Sequence, residues 1–186
     1  MRGRTLRVPD IHGLRPTSSR VREALFNILG DISDASVLDL FAGSGVMALE
    51  SLSRGAKSAM SIEGDRSACE AMKKIQSAWP VPNWSIQNAM LPKVLKLHAG
   101  TYFDVIFADP PYQQGLSVQL PRWLLDADIS FGRLIVEEAS RERLVWREIQ
   151  PEKTYRYGET TLYVFQGQCV INENIDEEIP ALVTEQ

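Results

Sequence analysis

Hydrophobic positions in this chain follow a helical rhythm first and a strand rhythm afterwards. Val21, Ala24, Leu25, Ile28 and Leu29 recur at the i, i+3, i+4 spacing of a helix buried on one side. Thr17 to Ser19 supply N-cap side chains for it, and Gly30 supplies the stop. From Ser36 onward, short apolar runs at 36–41, 58–63, 84–87, 103–108 and 133–137 read as strands. Helical stretches at 46–54, 67–79, 91–98 and 116–126 fill the intervals between them. Strand–helix alternation at this pitch predicts an α/β domain, with a mostly parallel sheet covered on both faces. Residues 153–157 and 161–166 flank Gly158 and predict an antiparallel hairpin at one sheet edge.

The ends of the chain read differently. Residues 1–17 are basic and broken by Pro9, Gly13 and Pro16, which predicts an extended arm. Residues 167–186 carry Glu173, Asp176, Glu177, Glu178 and Glu185 with no basic residue, which predicts a flexible acidic tail. One domain, 18–166, lies between them.

Composition narrows the class. A chain of 186 residues, 44% of them hydrophobic, can bury one full core. No apolar run approaches the ~18 residues of a membrane span, and Met1-Arg2-Gly3-Arg4 is not followed by the apolar stretch of a secretory signal. A cytoplasmic protein is expected. Cys69, Cys169, His12 and His98 form no ligand cluster in sequence, so neither a zinc site nor an iron–sulfur centre is expected. The net charge of -4 is unevenly spread. Residues 1–24 hold Arg2, Arg4, Arg7, Arg15, Arg20 and Arg22 against Asp10 and Glu23, a local +4 that leaves -8 on the remainder. Such an arm is suited to neutralising phosphates; a solvated terminus is the plain alternative.

Candidate chemistry gathers where strands end. Asp39-Leu40-Phe41-Ala42-Gly43-Ser44-Gly45-Val46-Met47-Ala48 leaves the first strand and enters a helix, and Gly43, Gly45 and Ala48 fit the G-x-G-x-x-G/A pattern. Glu63 follows Gly43 by 20 residues at the end of the second strand, where a carboxylate can accept both ribose hydroxyl protons. A nicotinamide dinucleotide and S-adenosylmethionine both suit that pair. Asp39 favours S-adenosylmethionine, because a carboxylate attracts its cationic end and repels a pyrophosphate. Asn88, closing the third strand, is a candidate adenine contact or a turn-capping residue.

Asp109-Pro110-Pro111-Tyr112 ends the fourth strand, and ligands of open α/β sheets bind at such carboxyl ends. The prolines fix φ and remove two N–H donors, so the turn presents acceptors. A ring-conjugated amino group delocalises its lone pair into the ring. Methyl transfer needs that lone pair aimed at the donor. The Asp109 carboxylate and the Pro110 carbonyl can accept the two N–H bonds, and Tyr112 can stack on the ring. Carbon methylation of a pyrimidine would call for a cysteine nucleophile, and neither cysteine lies near these loops.

With these residues the chain resembles the bacterial 16S rRNA guanine-N2 methyltransferases of the RsmD type. The resemblance covers residues 2–166. It rests on Arg15-Pro16-Thr17, Arg20-Val21-Arg22-Glu23-Ala24-Leu25-Phe26-Asn27, the stretch Asp39 to Gly45, Glu63 and Asp109-Pro110-Pro111-Tyr112. It implies a Rossmann-like class I methyltransferase, a seven-stranded sheet with its last strand antiparallel. It implies a monomer that methylates one guanine of 16S rRNA in a partly assembled small subunit. Implied cofactor contacts are Asp39, Phe41, Ala42, Gly43, Gly45, Glu63, Asn88 and Asp109. Implied substrate contacts are Arg2, Arg4, Arg7, Arg15, Thr17, Arg20, Glu23, Asn27 and Tyr112, with Asp109, Pro110 and Tyr112 catalytic. Two departures stand out: relatives carry a further basic strand ahead of Arg2, and Ala48 replaces a third glycine. Other readings are the same chemistry on adenine N6 or a protein glutamine amide, a nucleotide-dependent oxidoreductase, and a non-catalytic RNA-binding module.

Overall fold

The protein is described by a computed structural model over residues 19–167, except 79, 80, 82, 113, 143 and 148. Arg2, Arg4, Arg7, His12, Arg15, Thr17, Cys169 and the acidic tail lie outside the described residues. The first helix, α1 (Ser19–Leu29), buries Val21, Leu25, Phe26 and Leu29. Gly30 ends it at φ 70°, with its N–H donated to Phe26 O.

Then β1 (Ser36–Leu40), α2 (Val46–Ser53), β2 (Ser58–Glu63), α3 (Arg66–Ala78), β3 (Trp84–Asn88) and β4 (Tyr102–Ala108) alternate as the apolar runs predict. After them come α4 (Leu120–Asp126), β5 (Ser130–Ala139), β6 (Lys153–Tyr157) and β7 (Thr160–Gln166). The seven strands form one sheet in the order β3-β2-β1-β4-β5-β7-β6. Pairs among β1 to β5 are parallel, while β7 runs antiparallel to both β5 and β6. The α/β class and the antiparallel last strand are as the sequence led us to expect.

Several boundaries differ from expectation. The predicted helix 91–98 is a 3₁₀ segment, Lys93–His98, and a 3₁₀ turn, Ser117–Gln119, leads into α4. Phe41 leaves β1 for a left-handed turn at φ 57°. β5 runs from Ser130 to Ala139 rather than 133–137, passing through Gly132, which breaks the apolar run in sequence. A Cβ at Gly132 would lie 2.8 Å from Asp104 O, so a glycine is needed where neighbouring backbone passes this closely.

Side-chain alternation assigns the two faces. Phe26, Val37, Phe107, Ile135, Leu162 and Val164 pack in one cluster with residues of α2 and α3. Leu38, Leu40, Ile106, Leu134, Val136 and Phe165 pack in the other, with Leu120 and Leu124 of α4. Complete burial of each large side chain contributes about 1.5–3 kcal/mol. Two contacts orient α1. Phe26 meets Phe107 edge-on, centroids 5.9 Å apart near the end of β4, and Leu29 O accepts from Arg133 Nη1 at 2.9 Å early in β5. The helix thus runs against the strands and brings Arg20 and Glu23 to their carboxyl ends. No described helix is long and apolar enough to cross a membrane.

Candidate active site

β1 is the switch point of the sheet: β2 lies on one side of it and β4 on the other. Among the described residues singled out in sequence, those at the carboxyl ends of the strands fall into two groups. The first lies over β1, β2 and β3. The turn after β1 places Phe41, Gly43 and Gly45 at φ 57°, 53° and 72°. A left-handed phenylalanine costs on the order of 1–3 kcal/mol and survives only where its surroundings determine the turn. Here Ala42 N–H donates to Ile62 O at 3.1 Å, and Gly45 N–H to Ala42 O at 2.8 Å. The Glu63 carboxylate accepts from Gly43 N–H at 2.8 Å and from Asp65 N–H at 2.7 Å. It therefore sits against the glycine turn. Asn88 donates its amide nitrogen to Glu63 O and Gly64 O, each at 3.0 Å, which locks the end of β3 to the loop carrying Glu63.

Gly45 has a packing reason that the glycine pattern alone does not reveal. A Cβ there would lie 2.6 Å from Met72 Sδ and 2.7 Å from Trp84 Cζ2, so α2 could not seat against α3 and β3. Ala48, in the third position of the pattern, is fully buried.

The second group lies over β1, β4 and β5 and gathers buried and half-buried carboxyls beside Tyr112. Asp39 is 3% exposed, and its Oδ2 has no hydrogen-bond partner among the described residues. Burial holds its carboxyl well above the usual range, against the pull of the Ala48 N–H, and the charge of Glu63 adds to the rise. Burial likewise pushes Asp109 up to about 8, with Glu137, Asp39 and Glu138 contributing repulsion. Tyr112 is half-buried, and its phenol is raised to about 12 by burial and by Asp109 and Glu137, while a hydrogen bond with Thr160 of β7 acts the other way. Asp109 N–H reaches Leu40 O at 3.5 Å, which ties the Asp-Pro-Pro-Tyr turn to β1.

Sequence reasoning missed Glu137 and Glu138. Both end β5 buried, at 7% and 3% exposure. Alternation puts Glu137 on the face covered by α1 and Glu138 on the face covered by α4. Glu138 Oε2 accepts from the fully buried Ser117 Oγ at 2.6 Å, and Oε1 from Ala139 N–H at 2.9 Å. This strut holds the segment that follows the Asp-Pro-Pro-Tyr turn. Two adjacent acids closing an otherwise apolar strand were the available signal.

Arg20, Glu23 and Asn27 are all exposed on α1, and the described ion pairs do not join Arg20 to Glu23. Cys69 is a core thiol, 1% exposed, with Sγ 3.5 Å from Glu63 O. His98 shares a 2.9 Å hydrogen bond with Gln87.

An orphaned buried carboxylate oxygen beside a glycine turn calls for a cationic or N–H-bearing ligand. The pyrophosphate of a dinucleotide brings neither. The donor set thus fits S-adenosylmethionine: Asp39 toward its charged end, Glu63 toward its ribose.

Comparisons with known proteins agree with this geometry. The family model described as Conserved hypothetical protein 95 matches residues 1–166. Ribosomal RNA small subunit methyltransferase D of Escherichia coli K12 is 46% identical over 116 residues, which are 62% of this chain and 58% of that protein. The protein of the same name from Haemophilus influenzae is 37% identical over 122 residues, 63% of each chain. The alignment thus spans less than two thirds of either relative. Among solved structures, yhhF from Escherichia coli superposes with a TM-score of 0.76 at 33% identity, covering 90% of this chain and 94% of the other. An RNA methyltransferase from Salinibacter ruber, in complex with S-adenosyl-L-homocysteine, shares the fold with a TM-score of 0.63 at 16% identity, over 92% of this chain and all of that one. The chain belongs to the Conserved hypothetical protein 95 family, that of the RsmD-type proteins its sequence resembles.

Proposed function

We propose that the protein transfers a methyl group from S-adenosylmethionine to the exocyclic N2 amino group of a guanine in 16S rRNA. The observation that carries this reading is the Asp109-Pro110-Pro111-Tyr112 turn at the end of β4, beside the switch point and within the field of buried carboxyls. The names of the Escherichia coli and Haemophilus influenzae relatives support the rRNA substrate.

When bound, the cofactor supplies an electrophilic methyl on a cationic sulfur. The chain's own residues do the rest. Glu63 accepts the ribose hydroxyls while keeping the glycine turn in place, Phe41, Ala42, Gly43 and Gly45 shape the wall of the site, and Asn88 braces the adenine end. Asp39 takes up positive charge that water cannot reach. Asp109, ionised beside a positive charge, and the Pro110 carbonyl accept the two N–H bonds of the target amine, which draws the nitrogen toward tetrahedral geometry and localises its lone pair, and Asp109 then receives the departing proton. Tyr112 stacks on a base withdrawn from its neighbours. Arg20, Glu23 and Asn27 border the substrate from α1, and Arg2, Arg4, Arg7, Arg15 and Thr17 meet the RNA backbone. The substrate is a partly assembled small subunit in the cytoplasm, and the enzyme acts as a monomer.

The test is methylation of small subunits from a strain lacking this activity, with the product nucleoside identified by mass spectrometry. N2-methylguanosine at one position is the expected product. N6-methyladenosine, or methyl incorporation into protein alone, would overturn the assignment.

A further inference from the structure

Resting on that reading, we propose that Glu137 is a specificity-determining residue that selects guanine by accepting its N1–H. In register, Ala108 of β4 pairs with Val136 of β5, so Asp109, just past the end of β4, stands level with Glu137 near the end of β5. Glu137 is 7% exposed and faces the side of the sheet on which Asp39 also lies. Its charge acts on both Asp109 and Tyr112, the two residues placed against the target base. The orphaned Oδ2 of Asp39 lies on the same face. Pro110 and Pro111 have no N–H to give. The chemistry arrayed along the ends of β4 and β5 is therefore that of adjacent acceptors.

Only one nucleobase amino group answers such a surface. In guanine the N2 amine is flanked by N1–H, so two donors stand side by side. In adenine the N6 amine is flanked by the N1 lone pair, and in cytosine the N4 amine is flanked by the N3 lone pair. A carboxylate beside Asp109 attracts the first edge and repels the other two. A site built around a hydrogen-bonding partner rejects analogues that leave it unpaired far more strongly than a merely shape-matched one does. The Glu138–Ser117 strut on the opposite face keeps the end of β5 in place, so Glu137 reads the base from a rigid strand.

The test pairs an altered base with an altered residue. Small-subunit rRNA is ligated to carry guanine or 2,6-diaminopurine at the methylated position; the analogue keeps the N2 amine but has a lone pair at N1. Single-turnover methylation is measured for the wild type and Glu137→Gln, with S-adenosylhomocysteine affinity as the check that the variant is folded. The wild type should strongly prefer guanine. Glu137→Gln, whose amide can donate to the N1 lone pair, should reduce that preference by at least about tenfold, the worth of one charge-assisted hydrogen bond. An unchanged preference in a folded variant, or a wild type indifferent to the two bases, would overturn the inference and leave guanine methylation standing. If the wild type yields no N2-methylguanosine on the guanine RNA, the underlying reading fails first and this inference fails with it.

Discussion

At the ends of β2 and β3, Glu63 and Asn88 stand partly open to water, and both are held by backbone partners 2.7–3.0 Å away. At the ends of β4 and β5, Glu137 and Glu138 are buried and Asp109 is half-buried beside them, and both glutamates make Asp109 costlier to ionise. The first half is satisfied as it stands. Its turn is built by hydrogen bonds before any ligand arrives, as suits recognition of a neutral ribose and adenine. The second half stores unfavourable electrostatics in a low-dielectric edge. That arrangement is relieved by a cation and by N–H donors, the two things a sulfonium donor and an amine acceptor bring.

Breaking the second half should have the larger consequence. Asp109→Ala removes the acceptor that orients the amine, and methyl transfer at saturating cofactor should fall on the order of 10²–10³-fold, comparable to losing one preorganised electrostatic contact. Affinity for S-adenosylhomocysteine should change little. Tyr112→Ala should lose roughly 1–3 kcal/mol of stacking, while Tyr112→Phe keeps the ring and most of the rate. Single-turnover assays on undermodified subunits give this ordering directly.

Breaking the first half should weaken binding instead. Glu63→Ala is expected to cost roughly 1.5–3 kcal/mol of cofactor affinity by calorimetry. Because Glu63 also holds Gly43 N–H and Asp65 N–H, a modest fall in melting temperature should accompany it. Unchanged affinity in the folded variant would remove Glu63 from the ribose site. The smallest effect on either half belongs to the arm. Neutralising Arg2, Arg4 and Arg7 should flatten the salt dependence of RNA binding by about one phosphate contact per arginine, with cofactor affinity unmoved.

The sequence made the order of elements readable because each strand of a doubly covered sheet is an apolar run. The Asp-Pro-Pro-Tyr turn was readable because prolines at a strand end are chemically conspicuous. What escaped depends on neighbours distant in sequence. Glu138 is an anchor only because Ser117 comes to it from 21 residues away, and Thr160 reaches Tyr112 only once β7 has inserted beside β5. Gly45 read as a place for a ligand's close approach. That Met72 and Trp84 also require it could be known only from how α3 packs.

The division into a hydrogen-bonded clamp and an edge of desolvated carboxyls is tested most directly by pH. Burial raises Asp109 to about 8, so near neutrality it holds a proton, and a positive charge nearby favours its release. S-adenosylmethionine carries that charge on sulfur and S-adenosylhomocysteine does not, although the two share the same ribose and adenine. Calorimetric titration of both ligands from about pH 6 to pH 9 measures the contrast. The affinity of S-adenosylmethionine relative to S-adenosylhomocysteine should rise with pH up to about 8 and flatten above it, with proton release on binding near neutrality that S-adenosylhomocysteine lacks. A ratio constant across that range, with equal proton release for the two ligands, would contradict the account.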